Sequence, residues 1–285
     1  MPRRFIIGWA LCLAWLAACR PPASLPPARP PVSSAALPTP SPATAGKQTL
    51  TVFAAASLAE AFTQAAGQFE AANPGVTLSL NFAGSNQLAQ QLAHGAPAGV
   101  FASAHQKQIA AAVAAGRVDP QQVEALASNS LIVIVPRHNP GGVLALQDLS
   151  KAGLKLILAA PEVPAGQYTL EFLARASQDP TAGPGFQDQV LQNVVSYEEN
   201  VRAVLSKVVL GEADAGIVYT TDIGKADAGK LAALQISDEL NVFTSYYVAP
   251  VRDGERPELA AAFIDFLLSS AGQDILVEHG FLAVR

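Results

Sequence analysis

Residues 48–285 alternate between strand-like runs and stretches with apolar residues at helical spacing. The first runs are "LTVFAAA", "GVTLSLNFA" and "GVFASA", each followed by a helix-period stretch. A second group comprises "LIVIVP", "LKLILAA", "NVVSY" and "AGIVYT", and two amphipathic helices close the chain around 259–268 and 275–278. Such alternation is typical of parallel strands joined by crossover helices. The sequence therefore predicts an α/β fold.

Seven or eight strands fit either one doubly wound sheet or two smaller sheets facing each other across a cleft. Two segments, "SNSLIVIVPRHNPGG" and "FTSYYVAPV", enter a strand without a crossover helix of their own ahead of them. Strands of this kind serve as hinges in two-lobed proteins. We therefore predict that residues 48–130 with 248–285 form lobe 1 and that residues 131–247 form lobe 2.

The N-terminal residues have a different character. Arg3 and Arg4 precede fourteen apolar or small residues, "FIIGWALCLAWLAA", which is shorter than the roughly 20 residues of a membrane-spanning helix and suits a signal peptide. The tetrad "LAAC", ending at Cys19, resembles the bacterial lipobox, in which the cysteine is acylated. We predict a lipoprotein signal peptide over 1–18 and lipidation of Cys19; an ordinary secretory signal with a chance cysteine is the alternative.

Residues 20–47 contain nine prolines among 28 residues and show no apolar periodicity. Proline-rich segments are extended, so residues 19–47 are predicted to be a lipidated cysteine and tether that holds the folded part away from a membrane. Cys12 lies within the predicted signal peptide, which leaves the folded part without cysteine and without disulfide chemistry.

The chain carries a formal net charge of −5. This balance argues against nucleic-acid binding and against long-range attraction of anions. Local dipoles and hydroxyl groups must therefore hold any anion that binds.

Ser57, in "AAASLAEAF", lies where a strand gives way to a helix. With Glu60 three residues on, it fits the S-x-x-E capping box, which predicts Ser57 as the N-cap of the helix. This role is either purely structural, or the helix N-terminus also opens into a cleft and holds an anion.

Other strand ends carry similar groups, and ligands of open α/β sheets bind beyond the carboxyl ends of the strands. Ser85 is predicted as the N-cap of the helix that follows "FAGS", and "VPAG" places residues 164–166 at another helix start. Residues 198–201 begin a further helix, and Tyr219 ends the strand "GIVY". Together these turns predict a cage of hydrogen-bond donors that closes from both sides.

Such a cage favours one kind of anion. The turns carry no lysine or arginine except Arg202, so neutral donors must hold the charge. Hydrogen phosphate keeps a proton that needs an acceptor, whereas a fully deprotonated tetrahedral dianion does not. Glu198 or Glu199 offers such an acceptor, which leaves phosphate as an open alternative.

These motifs, with "AHGAPAGVFASA", "ENVRAVLSKVVLGEADAGIVY" and "FIDFLLSSAGQDIL", resemble the molybdate-binding proteins of bacterial ABC transporters over nearly all of 48–285. The resemblance implies a two-lobed periplasmic-binding-protein fold of type II, with mostly parallel sheets and two hinge crossings. It also implies an extracytoplasmic, monomeric binding protein that is not an enzyme and uses no cofactor. Its partners would be molybdate or tungstate and the membrane permease and ATPase subunits of a transporter.

Ligand positions of this family carry over by resemblance onto five residues. Ser57 and Ser85 would act through hydroxyl and backbone N–H groups, Ala165 and Val201 through backbone N–H groups, and Tyr219 through its phenol.

The chain departs from the family at three positions: Gly99 and His105 replace aspartates, and Asn200 replaces the aspartate that many members carry before the valine. Gly99 and His105 are not ligand positions in the family pattern, and Asn200 removes a negative charge close to the expected anion.

Three other functions are alternatives. The same fold with sulfate, a phosphonate or a small organic anion is the nearest alternative, and sequence does not separate tungstate from molybdate because the ions are nearly equal in size. A serine hydrolase is remote, because no G-x-S-x-G motif is present and the four histidines are scattered. A metal-cation site lacks the necessary carboxylate or histidine clusters.

Overall fold

The computed structural model describes residues 48–224 and 227–283. The predicted signal peptide, Cys19 and the tether lie outside the described residues.

The first of two sheets has the strand order β11-β4-β10-β3-β1-β2. Its strands are β1 Gln48–Ala55, β2 Val76–Ala83, β3 Val100–Ser103, β4 Glu124–Asn129, β10 Thr244–Pro250 and β11 Leu282–Ala283. Strand β1 pairs in parallel with β2 and β3. By contrast, β10 runs antiparallel to both β3 and β4.

The second sheet has the order β7-β6-β8-β5-β9. Its strands are β5 Leu131–Pro136, β6 Leu156–Ala159, β7 Val194–Glu198, β8 Ala215–Tyr219 and β9 Leu231–Gln235. Here β6 pairs in parallel with β7 and β8, and β5 runs antiparallel to β8 and β9.

Eight α-helices cover the sheets within the described part of the chain: α1 Ala59–Ala72, α2 Ser85–Ala93, α3 Gln106–Ala114, α4 Pro164–Ala176, α5 Phe186–Gln192, α6 Val201–Val209, α7 Pro257–Leu268 and α8 Ser270–Glu278. Short 3-10 turns occur at Ala56–Leu58, Pro120–Gln122, Leu146–Ser150 and Thr220–Asp222.

Side chains alternate between the two faces of the first sheet, and helices bury both of these faces. Leu50 and Val52 of β1 belong to a core with α1, α7 and α8, in which the rings of Phe62 and Phe263 meet edge to face with centroids 6.1 Å apart. Phe53 belongs to a separate core with α2 and α3. A third core surrounds the second sheet.

The predicted α/β fold with two sheets is confirmed, and each sheet is mixed. The chain passes from the first sheet to the second between Asn129 and Leu131, and it returns between Gln235 and Thr244. The strands that follow these passages, β5 and β10, each run antiparallel to both of their neighbours. The predicted segments "LIVIVP" and "TSYYVAPV" contain both strands.

No single helix in 48–224 or 227–283 is long and apolar enough to cross a membrane. Only α7 and α8 taken together pass that test, and they meet at a bend of 62°.

Candidate functional site

A small cavity lies where the carboxyl ends of strands from both sheets meet. All five residues singled out from the sequence line it: Ser57, Ser85, Ala165, Val201 and Tyr219. The remaining lining residues are Ala55, Ala56, Ala83, Gly84, Ala104, Val163, Pro164 and Asn200. The cavity volume, about 10 Å³, is close to that of a single water-sized sphere. The space that these residues enclose is therefore small, and it leaves no room for a bulky organic ligand.

Ser57 does not cap a helix, so the prediction of a capping box was wrong. It lies inside the 3-10 turn Ala56–Leu58, and the N-cap of α1 is Leu58, whose side chain makes no capping bond. The 3-10 turn displaces the helix start past Ser57. The Ser57 hydroxyl, in a side chain that is 4% exposed, instead lies 2.8 Å from the hydroxyl of Tyr246.

Ser85 is the first residue of α2 and Gly84 is the N-cap, so the predicted cap was wrong by one residue. The backbone N–H of Ala104 donates to the Ser85 hydroxyl oxygen at 3.1 Å. This bond uses an acceptor position of Ser85 and leaves its own hydrogen available for donation into the cavity.

Two helices present backbone donors to the cavity. Ala165 follows Pro164 in the first turn of α4, and Val201 is the first residue of α6. Backbone N–H groups in the first turn have no partner within their helix. Asn200 is the N-cap of α6, and its side chain accepts the N–H of Ala203 at 3.0 Å, which leaves the N–H of Val201 for the cavity.

Gly166 fixes how α4 approaches the second sheet. A Cβ at this position would lie 2.0 Å from the carbonyl oxygen of Ala160. Only glycine allows this close approach, which brings the first turn of α4 up to the end of β6.

Tyr219, 1% exposed, ends β8. Its hydroxyl oxygen is buried beside the hydroxyl of Tyr246 and makes no hydrogen bond of normal geometry among the described residues. Burial raises the pKa of Tyr219 well above its usual value, so the phenol stays protonated and acts as a donor. Leaving a buried donor unpaired costs about 1 to 3 kcal/mol, which is offset when a ligand accepts its hydrogen bond.

The charged groups near the cavity are paired with one another. The Arg202 side chain forms an ion pair with Glu60 and donates to the carbonyl oxygen of Asp222 at 3.0 Å. Asp222 is fully buried, and burial raises its pKa to about 7.

The two glutamates considered as acceptors for phosphate do not line the cavity. Burial raises the pKa of Glu198, but hydrogen bonds from Lys207, at 2.6 Å, and from Ser196 outweigh it, so the net pKa is lowered. Glu199 accepts a bond from Gln87 at 3.0 Å. No carboxylate is found among the residues described at this cavity.

Each departure from the family pattern has a local structural role. A Cβ on Gly99 would lie 2.3 Å from a methyl group of Leu50, so glycine fits the strand end. His105 is the N-cap of α3 and accepts the N–H of Lys107 at 2.9 Å. The ring of His105 also stacks on Tyr168, with centroids 4.8 Å apart.

The rival chemistries find no support at this site. Within the described residues, no group of three or more His, Cys, Asp and Glu side chains is arranged to hold a metal ion. The residues lining the cavity include no histidine that could act as a base toward Ser57.

Sequence reasoning missed the residues behind Ser57. The hydroxyl of Tyr246 contacts the side chains of both Ser57 and Asn129. Ser57 and Tyr246 are 189 positions apart, so no local pattern joins them; the one signal was that Tyr246 lies in a predicted hinge strand.

Comparisons with known proteins agree with this architecture. The family model for bacterial extracellular solute-binding proteins matches residues 50–282. The chain is 37% identical over 238 residues to the molybdate-binding protein ModA of Mycobacterium tuberculosis, covering 84% of this chain and 86% of the relative.

Two solved structures are also similar. One is a substrate-binding domain of a putative molybdenum ABC transporter from Clostridium difficile, with a TM-score of 0.61, 29% identity, and 83% and 99% of the two chains covered. The other is the sulfate-binding protein SubI of M. tuberculosis, with a TM-score of 0.74, 21% identity, and 83% and 87% covered. On the strength of its family match, its relatives and its two facing sheets, the chain belongs to the bacterial extracellular solute-binding proteins.

Proposed function

We propose that this protein binds molybdate or tungstate in the cavity between its two sheets and delivers the ion to the permease and ATPase subunits of an ABC transporter. The observation that carries the proposal is the composition of the cavity, which offers hydrogen-bond donors and neither a cation nor a carboxylate. A tetrahedral dianion accepts bonds at every oxygen and needs no donor of its own.

Five residues donate hydrogen bonds to the anion in this proposal. The hydroxyl groups of Ser57, Ser85 and Tyr219 donate from side chains, and the N–H groups of Ala165 and Val201 donate from two helix N-termini. The helix dipoles add partial positive charge at the same positions. The ModA relative binds molybdate according to its name, which supports the same ligand class here.

Closure of two lobes forms this cavity in the proposed mechanism. The proposed lobes follow the two sheets and comprise residues 48–130 with 244–285 and residues 131–243, because β10 begins at Thr244 and belongs to the first sheet; the boundary expected at 247 is moved accordingly. Their hinges lie at the two passages of the chain between the sheets, near Asn129 and Thr244. Donors from both lobes then meet only when the cleft is closed, which couples ion binding to a shape that a permease can recognise.

Sulfate is the second candidate, because the fold is shared with a sulfate-binding protein and sulfate is also an unprotonated tetrahedral dianion. Phosphate is disfavoured, since the cavity lining lacks the carboxylate acceptor that its proton requires.

A thermal-shift panel with molybdate, tungstate, sulfate, phosphate and chromate tests the proposal. At a hundred times the dissociation constant, a ligand adds about 2.7 kcal/mol to the free energy of unfolding. We expect molybdate and tungstate to raise the melting temperature at micromolar concentration. A larger rise in melting temperature with sulfate than with molybdate would mean that sulfate is the ligand. No rise with any of these anions would refute the proposed function.

We further propose a lipid anchor at Cys19, followed by a proline-rich tether, which would keep the protein at the extracytoplasmic face of a membrane. The support is the lipobox-like "LAAC" and the composition of 20–47.

A further inference from the structure

A chain of buried hydrogen bonds runs from the hinge region to Ser57. Asn129, the last residue of β4, and Tyr246 of β10 are at most 1% exposed. The Tyr246 hydroxyl lies 3.3 Å from Nδ2 of Asn129 and 2.8 Å from Oγ of Ser57. Tyr246 therefore links the first passage of the chain between the sheets to a residue of the cavity.

A backbone group fixes the direction of this chain. The N–H of Ser130 donates to Oδ1 of Asn129 at 2.9 Å, and a backbone N–H can only donate. The atom that faces it must be the amide oxygen, so the amide nitrogen is the atom that faces Tyr246. The hydroxyl of Thr220 adds a second donor to the same oxygen at 2.8 Å.

The amide nitrogen of Asn129 has no lone pair to offer and can only donate. Tyr246 therefore accepts from Asn129, and its own hydrogen must go elsewhere. Two hydroxyl oxygens lie beside it, those of Ser57 and Tyr219. Oγ of Ser57 is 2.8 Å away, whereas the Tyr219 hydroxyl makes no hydrogen bond of normal geometry among the described residues, so we assign the hydrogen of Tyr246 to Ser57. Ser57 thus accepts from Tyr246, and its hydrogen is left to point into the cavity.

We propose that Tyr246, oriented by Asn129, is a positioning residue that makes Ser57 a hydrogen-bond donor to the bound oxyanion. The inference rests on the proposed function and deepens it. A proton on the anion would meet the donor hydrogen of Ser57, and Ser57 could accept that proton only by turning its own hydrogen away from the ligand. The hydroxyl oxygen of Ser85 likewise accepts a hydrogen bond, from the N–H of Ala104, so Ser85 also has its hydrogen available for the anion.

The test is a double-mutant cycle on molybdate affinity, measured by calorimetry at pH 8, where molybdate and most inorganic phosphate are dianions. The variants are Tyr246→Phe, Ser57→Ala and the double variant. Tyr247→Phe, which removes the same group from the next residue of β10, is the matched control. We expect Tyr246→Phe to weaken binding about fivefold to tenfold. When Ser57 is already alanine, the same substitution should weaken binding by less than about twofold, because Tyr246 acts through Ser57.

The selectivity for molybdate over phosphate distinguishes this role from a merely structural one, because a change in stability alone would not alter that selectivity. We expect the ratio of molybdate to phosphate affinity, measured by competition, to narrow at least about threefold in Tyr246→Phe and to stay unchanged in Tyr247→Phe. Asn129→Asp keeps the shape of the side chain and replaces the donor by an acceptor, which reverses the chain of bonds. Because both ligands are dianions, the added charge cancels in the ratio, and the ratio should narrow further.

The outcomes separate the two proposals. If the wild type binds an unprotonated oxyanion and the losses of binding free energy from Tyr246→Phe and Ser57→Ala simply add, the positioning role of Tyr246 is overturned while the proposed function stands. If the wild type binds sulfate in place of molybdate, the same cycle measured with sulfate decides the positioning role of Tyr246: coupled losses support it, and additive losses overturn it. If the wild type binds no oxyanion, the proposed function is wrong and the positioning role of Tyr246 is overturned with it.

Discussion

The carbonyl oxygen of Glu199 lies so close to Gly84 that a Cβ on this glycine would be 2.6 Å from it. Gly84 precedes α2 beside the first sheet, and Glu199 follows β7 of the second sheet. A hydrogen bond from Gln87 to the Glu199 carboxylate, at 3.0 Å, reinforces the contact. The approach of the two halves around the cavity therefore requires the absence of a side chain at Gly84.

Gly84→Ala is expected to weaken molybdate binding about tenfold or more, because the added methyl group holds the cleft partly open. The backbone of Gly84, at φ −59° and ψ 134°, is one that alanine adopts readily, so the free protein should keep its melting temperature. Calorimetry measures the affinity. The control is Gly67→Ala in α1, where a Cβ would meet nothing within 4 Å; equal affinities in the two variants would contradict the prediction.

Ser57→Ala should reduce oxyanion affinity about tenfold to a hundredfold, through loss of a charge-assisted hydrogen bond of about 1.5 to 3 kcal/mol. Since Ser57 is not a cap, its effect on folding should come only from the lost bond to Tyr246, about 1 kcal/mol. Ser206→Ala, at an exposed position of α6, is the control. Unchanged affinity with a lowered melting temperature would give Ser57 a structural role alone.

Glu60→Gln should weaken binding by up to about fivefold at low salt. The ion pair between Glu60 of α1 and Arg202 of α6 joins the two halves, and its side chains are 39% and 27% exposed. Partly exposed pairs contribute about 0.2 to 1 kcal/mol and are screened by salt. Affinities measured at 20 mM and at roughly 1 M salt should differ less for this variant than for the wild type. An identical salt dependence in Glu60→Gln and in the exposed control Glu258→Gln would exclude the pair as a contact that holds the cleft closed.

Asp222→Asn should change how stability depends on pH. Burial raises the pKa of Asp222 from 3.8 to about 7 in the folded protein, so the folded state holds its proton more tightly than the unfolded state. The stability that this group contributes is fully present below about pH 4 and is lost as the pH rises through about 7. The total loss is at most about 4 kcal/mol.

Asparagine keeps an oxygen for the N–H of Tyr219, which Asp222 accepts at 2.9 Å, and it does not titrate. Denaturant unfolding at several pH values between 4 and 8 should therefore show a flatter curve for Asp222→Asn than for the wild type. Parallel curves would mean that Asp222 titrates near its ordinary pKa.

Cys19→Ser should abolish lipid labelling and release the protein from the membrane fraction of cells that express the full chain. Metabolic labelling with a fatty acid and fractionation measure both effects. Continued retention of the variant on the membrane would show that another segment anchors the protein.

The sequence predicted which residues come together around one cavity better than it predicted the local structure of those residues. Tyr219 was recognisable because an apolar strand of five residues ends on a phenol, and Pro164 marked a helix start because proline lacks only a hydrogen that the first turn does not use. Ser57 was misread as a cap, since S-x-x-E does not reveal that a 3-10 turn intervenes before α1.

Other features depend on long-range packing. The strand β9, "LAALQ", is made of residues that favour helices, and its pairing with β5 overrides that preference. The bond between Ser57 and Tyr246 joins two distant parts of the chain, so only the assembled fold reveals it.

Two of the proposed donors, at Ala165 and Val201, are backbone N–H groups. Every residue except proline supplies the same group, so substitution at these positions changes packing without removing the donor. Much of the recognition chemistry is thus inherited with the path of the chain and tolerates drift in amino-acid identity. A search for proteins with the same specificity that compares only side chains would overlook relatives in which alanine and valine have been replaced and the ion is still held.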